Sequence, residues 1–164
     1  MSTVVRSPVE ADWEALRAVR LASLLDAPTA FGVTHAATAQ FTEAQWRERA
    51  AGKGQARFEL AFSGAGPVGI AGGVVDARGQ YNLIAMWVHP DWRGQDVATR
   101  LVDAVKARAL ASGHRRVVLT VAPANARAAR FYANQGFAFI DEWEALDSHP
   151  HIQLQAMQWL APSP

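Results

Sequence analysis

The chain is 164 residues long, half of them apolar and 19% charged, which is the scale and make-up of one globular domain with its own core. Sixteen lysines and arginines stand against 15 acids, so no charge imbalance points to nucleic acid or to a membrane surface as a partner. Cysteine is absent, which excludes disulfides, thiolate zinc sites and a cysteine nucleophile.

Residues 3–6 read as a short strand. Ser7, Pro8 and Glu10 have the order of a helix start: a hydroxyl cap, proline in the first turn and an acid three residues after the cap. Trp13, Leu16, Val19, Leu21, Leu24 and Leu25 then recur at helical spacing, until Asp26-Ala27-Pro28 stops the pattern. Residues 28–41 look irregular. Thr42 and Gln45 form a second capping box, opening a helix to about Gly52. Strands over 58–62, 68–75 and 81–88, joined by turns at 64–67 and 76–79, predict an antiparallel meander.

The pattern then changes. Val97, Leu101, Val102, Val105 and Ala109 mark a helix that Gly113 closes, and residues 116–121 are a β-branched buried strand. A further helix over 125–135 ends at Gly136, and strands over 137–146 and 153–160 flank a turn at 147–150. Strand–helix–strand order within the second half implies a parallel crossover. The expectation is one α/β domain over residues 1–164, with a mixed, mostly antiparallel sheet of about seven strands and about four helices. The first residues lack the apolar core of a signal peptide and no run reaches membrane-span length, so a cytoplasmic location is expected.

The turn from Trp87 into the helix at Val97 carries the chemistry. The first amides of a helix lack intrahelical partners and the macrodipole places positive charge there, an arrangement suited to phosphates. Gly94 lets a ligand approach the backbone, and Arg93 offers a charge-assisted contact. The plainer alternative makes Asp96 an N-cap whose carboxylate binds the amides of Ala98 or Thr99.

The run Trp87-Val88-His89-Pro90-Asp91-Trp92-Arg93-Gly94-Gln95-Asp96-Val97-Ala98 resembles the acyl-CoA pyrophosphate motif of the GNAT superfamily of N-acyltransferases. Arg93 and Ala98 fit that motif, whereas Asp96 replaces its first glycine. Asn125, Ala128, Tyr132 and Gly136-Phe137 are similar to the family's second signature, at the family's spacing from the first. Pro28-Thr29-Ala30-Phe31-Gly32 and Met86-Trp87-Val88 resemble a bacterial branch of the same family.

The resemblance implies the GNAT fold and an acyltransferase that moves an acetyl group from acetyl-CoA to a primary amine of a small molecule or peptide by direct attack. It implies that the amides of Gly94, Gln95, Asp96, Val97, Ala98 and Thr99, with Arg93, cradle the pyrophosphate. Backbone groups of Met86, Trp87 and Val88 would meet the pantetheine arm where the strand splays from 117–121, with one amide polarising the thioester carbonyl. Asn125 would bind the pantetheine, with Ala128 beside it, while Arg127 and Arg130 would reach the ribose phosphate. Tyr132 would protonate the leaving thiolate, the two groups having ordinary pKa values within about two units.

Many members place a glutamate on the fourth strand as base; by counting along that strand, the position falls here on Asn82, which cannot accept the proton. It can position water or the acceptor, leaving Glu142, Glu144, Asp147, His35 or solvent to take the proton. Phe31, Phe41, Trp46, Trp87 and Trp143, with Phe31, Trp87 and Trp143 as the expected contacts, suggest an apolar or aromatic amine at the acceptor site. No metal is expected: His149 and His151 lack a third ligand. Serine-hydrolase and nucleoside-triphosphatase motifs are missing. A homodimer through the apolar final strands is the family expectation, which the residues themselves do not set. Two alternatives stand beside catalysis: a degenerate, non-catalytic acyl-CoA-binding module, and a structural domain that binds no nucleotide.

Overall fold

The computed structural model describes residues 2–64 and 66–163. Ala65, in the turn expected at 64–67, and Met1 and Pro164, at the ends of the expected domain, lie outside the described residues. The strands are β1 (Val4–Arg6), β2 (Arg57–Ser63), β3 (Gly66–Val75), β4 (Tyr81–Val88), β5 (Arg116–Val121), β6 (Ala138–Leu146) and β7 (His149–Leu160). They form one seven-stranded sheet in the order β1-β2-β3-β4-β5-β7-β6, with every pairing antiparallel except β4–β5. The helices are α1 (Trp13–Asp26), α2 (His35–Ala39), α3 (Glu43–Ala50), α4 (Val97–Ala111) and α5 (Ala126–Asn134).

Each face of the sheet carries its own apolar layer. On one, α1 and α3 bury Leu16, Val19, Leu24 and Trp46 against Leu60, Ile70 and Trp87. On the other, α4 packs Val97, Leu101, Val102 and Val105 against Ala71, Leu83, Val117 and Leu119, with Phe137 and Met157 closing that side. Removing such side chains from water is the main stabilising term on both faces. Among the described residues no helix is long and apolar enough to cross a membrane.

Local chemistry explains where the elements depart from expectation. The Thr42 box forms as read, with Thr42 Oγ1 accepting from the Gln45 amide at 3.2 Å and Gln45 Oε1 from the Thr42 amide at 2.9 Å. Ser7 does not cap α1, because a buried acid claims its hydroxyl: Ser7 Oγ donates to Glu59 at 2.9 Å. A 3-10 turn at Glu10–Asp12 precedes the helix instead, with Asp12 accepting from the Val9 amide at 2.8 Å. Leu25, read into the apolar stripe, is 68% exposed. Within the supposedly irregular segment 28–41, Thr34 accepts from the Ala37 amide and starts the extra short helix α2. The last hairpin is tighter than expected: Leu146 pairs with His149, so β7 begins at that histidine and takes in His151 as well.

Candidate active site

The sheet opens between its two parallel strands. β4 and β5 are in register only at Tyr81–Val117 and Asn82–Val118, and beyond those pairs they part. β4 is bulged at the same place. Gly72 pairs with Ile84 and Ile70 with Trp87, so Ala85 and Met86 together face Ala71. Ala85 adopts φ 58°, the one non-glycine residue with positive φ among those described. Bulges re-aim a strand and terminate pairing, and a left-handed alanine is a strained state that the surrounding sheet must hold. The gap holds a cavity of about 410 Å³ between Leu83–Met86 and residues 119–122. Tyr132 and Asn125 line it from the α5 side, Arg20 and Phe31 from the α1 side, and Glu144 and Asp147 from the last hairpin.

The crossover topology brings two helix N-termini to the open end of this gap. α4 leaves the C-terminal end of β4 and returns the chain to the start of β5, while α5 begins just after β5 ends. Among the described residues, the amides of Gly94, Gln95, Asp96, Val97, Ala98 and Thr99 donate to no backbone or side-chain group; the first α4 amide to do so is that of Arg100, to Asp96 O at 3.0 Å. Gly94 has φ 80°, and a Cβ there would meet nothing within 4 Å. Asp96 occupies the cap position yet makes no capping hydrogen bond, which overturns the reading of its carboxylate as the cap. Six amides without a protein partner at a positive helix end suit an anion.

Arg93 is engaged within the protein. Its Nε donates to Val88 O at 2.9 Å and a terminal nitrogen to Asp26 at 2.8 Å, and Trp87 Nε1 donates to the same Asp26 oxygen at 2.9 Å. The guanidinium thus ties the turn to the end of α1. The Trp87 and Arg93 hydrogen bonds hold the Asp26 carboxyl below the usual carboxylate range. Arg93 shapes the loop through these two bonds.

Tyr132 is part of the wall of the gap. Burial pushes its phenol well above the ordinary value of 10.0, so it stays protonated throughout the neutral range and can act as a donor. Among the described residues nothing hydrogen-bonds its hydroxyl. Asn125 Oδ1 accepts from the Ala128 amide at 3.2 Å as the cap of α5, which leaves its Nδ2 for another acceptor. Ala128 lines the gap beside it, as does Met86, whereas Val88 does not. Arg127 and Arg130 are exposed on α5, outside the gap.

Three expected site residues lie elsewhere. Asn82 sits where β4 and β5 are still paired, and its Nδ2 donates to Asp76 at 2.9 Å and to Gln80 O at 3.1 Å; it locks the preceding turn. The Trp87 indole is buried in the α1–α3 layer, so only its backbone faces β4's neighbours. Trp143 is 54% exposed on β6 and bonds Asp141. Phe41 and Trp46 pack edge to face on the α3 side. Phe31 alone of the expected aromatic set lines the gap, held there by Ser148 Oγ donating to its carbonyl at 2.7 Å. Among the proposed proton acceptors, Glu144 and Asp147 are in the wall, and Glu142 and His35 are not. Two site features were missed. Ala85 has no sequence signal, since alanine is no marker of positive φ. Arg20 had one: it stands between Leu16 and Leu24 at four-residue steps, a charge on the buried stripe of α1.

Comparison with known proteins agrees with this fold. The model of the Acetyltransferase (GNAT) family matches residues 19–137. A GNAT-family acetyltransferase from Streptococcus pneumoniae is similar in fold at TM-score 0.79 and 21% identity, over 98% of this chain and 100% of that one. The YncA protein of Salmonella typhimurium, solved with acetyl-CoA, is similar at TM-score 0.73 and 17% identity, over 100% and 96% of the two chains. The PaiA N-acetyltransferase of Thermoplasma acidophilum, in complex with coenzyme A, is similar at 0.68 and 16%, over 98% and 99%. No curated protein matches the sequence.

Proposed function

Because the chain belongs to the acetyltransferase (GNAT) family, we propose that it transfers an acetyl group from acetyl-CoA to a primary amine by direct attack. The observation that carries this is the run of six free amides, Gly94 to Thr99, at the mouth of a gap whose wall holds a protonated Tyr132. Those amides bind the pyrophosphate and the gap takes the pantetheine arm, with Asn125 Nδ2 donating to one of its carbonyls. The amine loses a proton to Glu144 or Asp147, directly or through water. Its nitrogen bonds to the acetyl carbon, the carbon–sulfur bond breaks, and the leaving thiolate takes the Tyr132 proton; the acylated nitrogen sheds its second proton to solvent, and solvent reprotonates Tyr132. Asn82, bound to Asp76, has no part in this.

Coenzyme A release over an amine library tests the proposal. Tyr132→Phe should lower kcat by roughly 10²-fold, the scale of one general acid, with the KM for acetyl-CoA nearly unchanged. Equal loss of turnover and cofactor affinity would assign Tyr132 to packing instead. A non-catalytic acyl-CoA-binding module has one observation in its favour: β4 puts only Leu83, Ile84, Ala85 and Met86 on the gap, without an acid. That module would bind coenzyme A and release none from acetyl-CoA on any amine.

A further inference from the structure

Arg20 is the unusual charge of this molecule. It lies on the buried stripe of α1, in the cavity wall, and its Nη1 is wholly buried without a hydrogen-bond partner. No carboxylate pairs with it among the described residues, whereas Arg108, also part-buried, is bonded to Glu59 at 2.9 Å. What Arg20 does touch is the face of Phe31, 4.9 Å from the ring centroid. That contact orients the guanidinium but leaves its in-plane donors unused. Burial without a compensating charge drags the guanidinium down to about 10. Charges are rarely kept in such a place unless something neutralises them. A planar fork of donors is matched geometrically by a carboxylate, which can accept two parallel hydrogen bonds.

The same cavity also carries the complementary sign. Glu144 and Asp147 line the same cavity, and Asp147 Oδ2 lies 4.0 Å from where a Cβ on Gly32 would sit, close against the Phe31 segment. Neither acid is within ion-pair distance of Arg20, so the cavity holds separated positive and negative groups. Such a pair of poles fits a molecule that carries both an ammonium and a carboxylate.

We propose that the acceptor is an amino acid or a closely similar small amine bearing a free carboxylate, with Arg20 taking the carboxylate over the Phe31 ring and Glu144 and Asp147 taking the ammonium. This rests on the acetyl-transfer reading above and names its substrate class. It replaces the aromatic-amine expectation, whose other rings lie outside the cavity. A site built to hydrogen-bond a carboxylate rejects an analogue without one, because its own donors are then left buried and unmatched.

The test compares free amino acids with their carboxamides, side chain for side chain. Two readouts are taken: coenzyme A release from acetyl-CoA, and calorimetric titration of the same pairs onto the protein loaded with coenzyme A. Acids should exceed matching amides by at least about tenfold in kcat/KM and in affinity. Arg20→Met should erase that preference by raising the KM for acids roughly tenfold or more, with the KM for acetyl-CoA within about twofold. Should Arg20→Met not fold, Arg20→Lys keeps the charge without the fork and should raise the acid KM by roughly fivefold. Acids that bind in an Arg20-dependent way while no coenzyme A is released would sink acetyl transfer and leave this anion site standing. Amides acetylated as well as acids, acids and amides weakened alike by Arg20→Met, or no binding of any acid would each overturn the inference.

Discussion

Asp96 is the residue at which motif and structure part. A glycine is not required there for conformation, since Asp96 has φ −85°, an ordinary value for any residue. Its carboxylate makes no capping bond, so it contributes little to helix stability while standing beside amides suited to a diphosphate. Exposed charges about 5 Å apart, at a dielectric between that of a protein surface and water, repel by about 1 kcal/mol. Asp96→Asn should therefore tighten acetyl-CoA binding by roughly fivefold at low salt, and by less at high salt, where the Debye length falls to about 3 Å at 1 M. Calorimetry at both ionic strengths checks this; unchanged or weaker binding would mean that the carboxylate faces away from the cradle or holds its loop. This residue also marks the limit of legibility. Its position before α4 was evident from the sequence, but whether its side chain turned onto the amides is a rotamer question decided by neighbours such as Arg93, itself drawn off to Val88 and Asp26.

At the scale of elements, periodicity and turn chemistry located all seven strands and the four long helices, because apolar spacing and caps are local signals. The Thr42 box was read correctly since both of its partners lie within four residues. The engagement of Asn82 was not legible for the opposite reason: it depends on the Asp76 carboxylate of the preceding turn and on how far β4 stays paired with β5, neither of which the strand's own pattern carries. The bulge at Ala85 and Met86 is the device that opens the sheet, so its conformation has a direct test. A β-branched side chain is much less tolerant of positive φ than alanine, at a cost of about 1–3 kcal/mol. Ala85→Val should destabilise the fold by that margin, or roughly 2–12 °C in Tm, and weaken acetyl-CoA binding by at least roughly fivefold, as the strand relaxes towards even pairing with β3 and narrows the gap. Ala85→Gly relieves the strain and should keep affinity within about twofold. Normal acetyl-CoA binding by the valine variant would separate the bulge from the function of the gap.

At the scale of the molecule, the gap works only if the two faces of the sheet hold still while the middle is open, and polar ties between elements far apart in sequence help to fix them. Ser7, before α1, and Arg108, near the end of α4, meet on Glu59 of β2, whose side chain is only 6% exposed. These residues are up to 101 positions apart, so nothing local in the sequence revealed that Ser7 serves this tie in preference to a helix start. An acid buried that deeply is costly alone and tolerable only with both partners in place. Glu59→Ala leaves the part-buried Arg108 without its counter-charge, which should destabilise the fold by about 3 kcal/mol, or roughly 6–12 °C in Tm for a chain of this size. The tie lies at the β1–β2 side of the sheet, away from the β4–β5 gap, so the KM for acetyl-CoA measured well below the new Tm should stay within about twofold. A variant that kept its Tm but lost acetyl-CoA affinity would show the reverse coupling, with the tie governing the width of the gap more than the stability of the sheet.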